Sequence, residues 1–168
     1  MTISMYQASV PRIINGLINL SHILGKAQAH AEAKKIDPEV FASMRLYPDM
    51  FPLSRQVQIA CDVSKGLVAR LAGVEIPAYE DTEKDLKDLQ ARVAKTIAFL
   101  ETFTPAQIDG TEDKDILVKR GDKETHYKGM QFLLGHGLPN LYFHTTTTYS
   151  MLRAGGVEVG KGDYLGKI

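Results

Sequence analysis

The chain has 168 residues, 44% hydrophobic and 24% charged, which suits one folded domain with its own core. Twenty Lys and Arg balance twenty Asp and Glu, so the basic excess that nucleic-acid or membrane-surface binding usually needs is missing, and self-association meets little charge repulsion. A single cysteine, Cys61, excludes an internal disulfide and fits a reducing compartment.

The first ten residues, Met1 to Val10, lack both the basic start and the apolar run of a signal peptide. No stretch approaches the ~20 apolar residues of a membrane span. A cytoplasmic location is expected. Ile13, Leu17, Leu20, Leu24, Ala27 and Ala31 recur at three- and four-residue spacing, which predicts a helix from about Pro11 to Lys35. Pro11 suits a first turn; a start near Ser4 with a kink at Pro11 fits equally. Asn15, Asn19, His22 and Lys26 fall on the opposite face, predicted to be wet. Asp37-Pro38-Glu39 reads as an N-cap, a first-position proline and an acidic first turn, opening a short helix to about Met44. Pro48 and Pro52 keep Leu46 to Pro52 extended, with its apolar residues expected to pack over the helices. Tyr47, Asp49, Met50 and Gln56 either line the mouth of a site or seal that end.

A second long helix is predicted from Pro52 to Ala72, with Leu53, Val57, Ala60, Cys61, Ser64, Leu67, Val68 and Leu71 buried and Gly73 as cap. Thr82-Glu83-Lys84-Asp85 resembles a capping box at the head of a third helix, whose stripe is Leu86, Leu89, Val93, Ile97 and Leu100 and which ends near Phe103. Ile116 to Arg120 and Lys123 to Tyr127 read as strands joined by a Gly121-Asp122 turn. A lone hairpin is marginal in water, so this one should lean on the helices. The fourth helical region, about Met130 to Ala154, is interrupted by Gly135, Gly137 and Pro139, so a kink or fresh start is expected at Pro139. The tail, Val157 to Ile168, reads as loop held by Tyr164 and Leu165. Four long amphipathic helices argue for an all-α bundle with a short β-hairpin before the last helix.

Two segments carry a family likeness: Leu46-Tyr47-Pro48-Asp49-Met50-Phe51-Pro52-Leu53-Ser54-Arg55-Gln56-Val57-Gln58-Ile59-Ala60-Cys61-Asp62 and Leu138-Pro139-Asn140-Leu141-Tyr142-Phe143-His144-Thr145-Thr146-Thr147-Thr148-Tyr149. With Ser4-Met5-Tyr6 and Gly160-Lys161-Gly162-Asp163-Tyr164-Leu165-Gly166, they resemble a bacterial family known only as a domain of unknown function and grouped with the DinB/YfiT-like superfamily. The resemblance implies an antiparallel four-helix bundle, often a homodimer. It also implies a divalent metal held by one histidine on the second helix and an H-x-x-x-H pair on the fourth, since residues four apart share a helix face. Some relatives use such a site for thiol-transfer or hydrolytic chemistry.

The chain departs from that pattern. His144 matches the second histidine of the pair, but Asn140 stands four residues before it, and the second helix has no histidine. Gln58 and Asp62 are the nearest substitutes there. A His144, Asn140 and Asp62 set is poor for zinc, which prefers several nitrogen or sulfur ligands. The expectation is therefore a bundle without a metal cofactor. It would bind a small molecule through His144, Asn140, Asp62, Gln58 and Tyr47 and form a homodimer. The alternative is a thiol-transferase or hydrolase using zinc or nickel at His144, Asn140 and Asp62. Each residue also has a structural reading. His144 and Asn140 would be a buried hydrogen-bonded pair, Asp62 a partner of Lys65, and Cys61 a small buried hydrophobe. His22, His30 and His126 would lie at the surface. His136, eight residues before His144, would bond a freed carbonyl at the kink. The hydroxyls of Thr145 to Thr148 can bond back one turn.

Overall fold

A computed structural model describes residues 2–166, so Met1 and the last two residues of the predicted tail lie outside the described residues. The first helix resolves into both sequence alternatives. Ser4 caps α1 (Met5–Ala8) through a reciprocal box with Gln7, the chain breaks at Ser9, and α2 (Val10–Lys34) follows with Pro11 in its first turn. All six stripe residues of α2 are buried. Asp37 caps α3 (Pro38–Ser43), accepting from the Glu39 N–H. The crossover after it does not pack as predicted: Leu46, Tyr47 and Phe51 are 46%, 64% and 55% exposed. Its main-chain bonds tie the crossover down, the Met50 N–H to the Tyr47 carbonyl and the Leu53 N–H to the Met44 carbonyl, so it needs no side-chain burial to hold its path.

Helix α4 (Leu53–Ala72) buries the predicted stripe and ends at Gly73, whose φ of 77° is the left-handed cap. Helix α5 (Leu86–Leu100) starts three residues later than the Thr82 box suggested. Asp85, not Thr82, is the cap, accepting from the Asp88 N–H. A short α6 (Pro105–Ile108) leads to β1 (Asp115–Arg120) and β2 (Lys123–Lys128), antiparallel, with Arg120 opposite Lys123 across the Gly121-Asp122 turn. Ile116 and Val118 on β1 are buried, which is how the hairpin leans on the helices.

The fourth helical region runs unbroken through α7 (Gly129–Phe132), a π-helical turn (Leu133–Gly137) and α8 (Leu138–Ala154). Pro139 has no N–H to offer, and the wide turn absorbs it: the Leu138 N–H reaches back five residues to the Leu133 carbonyl. Gly137 lets this turn touch α4, since a Cβ there would lie 2.5 Å from Leu67. The tail forms α9 (Lys161–Leu165), which covers α2. Asn19, predicted wet, is therefore buried and donates to the carbonyls of Tyr164 and Leu165. His22 and Lys26 meet Asp163 at 3.1 and 3.0 Å.

The molecule is mostly helical with one two-stranded hairpin. Each of α2 and α4 packs against both α5 and α8, and the buried apolar side chains form one cluster among them. Among the described residues, no helix is long and apolar enough to cross a membrane.

Candidate functional site

Helix α8 and the π-turn present His136, Asn140 and His144 at four-residue intervals, so the three share one face. That face looks across at Arg55, Ile59, Asp62 and Arg70 of α4, with Lys119 of β1 at the rim. Between them lies a cavity of about 410 Å³. The expected His144, Asn140 and Asp62 thus border one space.

His144 is 8% exposed, and its Nδ1 lies 2.7 Å from Gln56 Oε1. The other end of that amide donates to the Phe51 carbonyl at 3.3 Å, which orients Oε1 as the acceptor. In the neutral ring the proton therefore sits on Nδ1 and the lone pair on Nε2. Three of the four threonines behind the ring bond back as predicted, the hydroxyls of Thr145, Thr147 and Thr148 donating to the carbonyls of Leu141, Phe143 and His144, whereas Thr146 donates to the Tyr164 hydroxyl at 3.0 Å.

Asp62 faces two ways. It borders the cavity, but its Oδ1 accepts from Arg92 Nη2 and Lys65 Nζ, both at 3.0 Å. Arg92 is the centre of a network that also holds Asp81 at 3.0 Å and Glu83 at 2.8 Å. Burial alone would push Glu83 up, but its hydrogen bonds from Arg92 and Gln58 outweigh that and hold its carboxyl below the usual range. Burial alone would likewise lower the Arg92 guanidinium, and the surrounding carboxylates raise it instead.

Gln58 belongs to this network and does not border the cavity. Its Nε2 donates to Glu83 at 2.8 Å and its Oε1 accepts from Arg55 at 3.3 Å. Tyr47 is also absent from the cavity wall, standing out from the exposed crossover. Cys61 is buried, and desolvation pushes its thiol up to about 12, against a counteracting hydrogen bond with Thr96, which disfavours the thiolate.

The reading of His136 as a kink residue missed its place in the cavity. The π-turn returns it to the His144 face, stacked on Phe132 with ring centroids 5.4 Å apart. The eight-residue spacing to His144 was the available signal. Arg92 was missed too, although a basic residue three after Leu89 and directly before Val93 falls on a face otherwise apolar.

These residues do not fit a divalent metal. Asp62 already accepts from two cations, Asn140 offers at best a neutral oxygen, and among the described residues three basic side chains border the same space. Among the described residues, no three His, Cys, Asp or Glu side chains come together as a metal-holding group.

The model of a family described as a domain of unknown function (DUF1993) matches residues 5–165. The chain belongs to this family. A crystal structure of a DinB family member protein from Shewanella denitrificans is 42% identical, with a TM-score of 0.88, covering 97% of this chain and 92% of that one. The likeness spans the α4 and α8 segments that border the cavity. No curated protein matches the chain.

Proposed function

We propose that the chain is an antiparallel four-helix bundle whose α4–α8 cavity binds a small polar molecule and holds neither zinc nor nickel. The observation that carries this reading is the engagement of Asp62. Asp62, the carboxylate that the described residues place on the cavity wall, already accepts from Lys65 and Arg92 through its Oδ1, so a cation entering the cavity would compete with two fixed charges for it. His144 supports a binding role, because Gln56 sets the ring and fixes which nitrogen carries the proton. The packing of α2 and α4 each against both α5 and α8 supports the bundle. A thiol-transferase or hydrolase of the metal-dependent kind needs a ligand set that this wall lacks.

Elemental analysis of protein purified without a histidine tag tests the proposal. Wild type is expected to carry no stoichiometric divalent metal. One ion per chain, lost on His144→Ala, would overturn it. Self-association belongs to the same reading. Leu46, Tyr142 and Phe143 cluster at one surface with 46%, 44% and 58% exposure, an apolar patch suited to a second copy in a homodimer. A sedimentation mass of one chain would remove that part.

A further inference from the structure

We propose that a second cavity, bounded by α2, α8 and α9 and independent of the α4–α8 cavity, binds a small molecule with an apolar body and one carboxylate. Its volume is about 460 Å³, inside the range of about 300–1,000 Å³ typical of ligand pockets. Leu20 and Ile23 of α2 and Leu165 of α9 give it apolar surface. Among the described residues of its wall, Arg12 carries the one charge. Among the described residues that guanidinium makes one hydrogen bond, from Nε to the Gln7 carbonyl at 3.4 Å, and no ion pair. Burial pushes the Tyr142 phenol up and the neighbouring Tyr164 adds to it, while Arg12 works against both, so Arg12 stands on the Tyr142 side of the cavity. An apolar space with one unneutralised guanidinium at its edge is complementary to an apolar acid.

Two features of the fold keep this space and close it. Gly16 sits in the interior of α2, where alanine is the better helix former. Outside its own helix backbone and chain neighbours, a Cβ there would meet only Leu141 Cδ2, at 3.9 Å, an ordinary contact. Packing does not demand glycine at this position, and its missing side chain leaves the cavity wall open. The tail supplies the third wall. Asn19 Nδ2 donates to the Tyr164 and Leu165 carbonyls at 3.1 and 2.9 Å and holds α9 to α2, and the Thr146 hydroxyl donates to the Tyr164 hydroxyl at 3.0 Å and ties α9 to α8. A ligand seated there touches three elements at once.

The test is a heteronuclear NMR titration of isotope-labelled, tag-free protein at pH 7 and constant ionic strength. The probes share one chain length: hexanoate, ionised at this pH, 1-hexanol as neutral probe and hexylamine as cationic probe. Saturable shifts at the amides of Gly16, Leu20, Thr145 and Tyr164 are expected, tightest with hexanoate, about fivefold weaker with hexanol and weaker again with hexylamine. Arg12→Gln is expected to weaken hexanoate about fivefold, the scale of one exposed ion pair, and to leave hexanol unchanged. Lys87→Gln, exposed on α5, should change neither. Gly16→Leu is expected to abolish binding of both. Should it fail to fold, Gly16→Ala carries the same test, raising the melting temperature while weakening both probes. Hexanol or hexylamine binding as tightly as hexanoate, or hexanoate indifferent to Arg12→Gln, would overturn the assignment of an acid. Silence to all three probes, or binding indifferent to both Gly16 substitutions, would overturn the cavity as a site. Shifts at these amides on diluting the protein, with none on adding a probe, would assign the space to a second copy of the chain and overturn the proposal too. A divalent ion bound at His144 would overturn the α4–α8 reading and leave this one standing.

Discussion

Helix α4 has two polar edges, and they are finished differently. Toward α5, Gln58, Asp62 and Lys65 meet Arg92, Glu83 and the Pro77 carbonyl, and the charges answer one another across the helix pair. Toward α8, Arg55, Asp62 and Arg70 face His136, Asn140 and His144 across a space of about 410 Å³. The first edge is a closed network, in which a buried guanidinium is tolerated because carboxylates surround it. The second lines a shared volume with polar side chains from both helices. Polar residues alone do not mark a site. What separates the two edges is that ion pairs fill the first, while the second borders a cavity.

The closed edge should be the more costly to break. Arg92→Met removes the side chain that three carboxylates share, and a loss of about 3 kcal/mol in urea unfolding is expected, discounted because Asp62 and Asp81 are partly exposed. A loss near zero would mean the network is ornamental. Next comes the seam between α4 and the π-turn. Gly137→Ala puts a methyl against Leu67 and should cost about 2 kcal/mol while disturbing the His136 environment. On the open edge the effects are smaller. Gln56→Leu deprives His144 Nδ1 of its acceptor at a cost of about 1 kcal/mol, and should alter the tautomer read by imidazole nitrogen shifts.

The smallest effect concerns the tail that covers α2, away from both edges. The Gly160 N–H, then Lys26 and His22, hold the Asp163 carboxyl down to about 2 from an ordinary 3.8. A carboxyl lowered in the folded state stabilises above its unfolded value and loses that contribution as pH falls through the folded one. Docking of α9 should therefore be complete above pH 3.8 and weaken toward pH 2. Tyrosine fluorescence and hydrogen exchange at Tyr164 would follow it, and Asp163→Asn should flatten the dependence.

Local signals carried the sequence reading a long way. The Ile13 to Ala31 stripe, the Asp37 cap, the Gly73 cap and the Gly121-Asp122 turn each involve residues within a few positions of one another, so their geometry is written in spacing. The failures involve distant partners. Asn19 is buried because of carbonyls at Tyr164 and Leu165, and Glu83, inside the stretch read as a capping box, is held by Arg92 and Gln58. His136 was misjudged for a different reason: a proline in a helix was read as a break, and a π-helical turn absorbed it. The spacing of Asn140 and His144 was enough to place them together. Nothing local to Asp62 revealed that Arg92 would claim the same oxygen as Lys65.

Diffraction at the zinc absorption edge, from crystals of tag-free protein soaked in a zinc salt, bears most directly on the cavity. The expected result is no anomalous peak between α4 and α8. A fully occupied peak at His144 Nε2, with Asp62 drawn away from Arg92 to reach it, would contradict the reading of this cavity as one that excludes a cation.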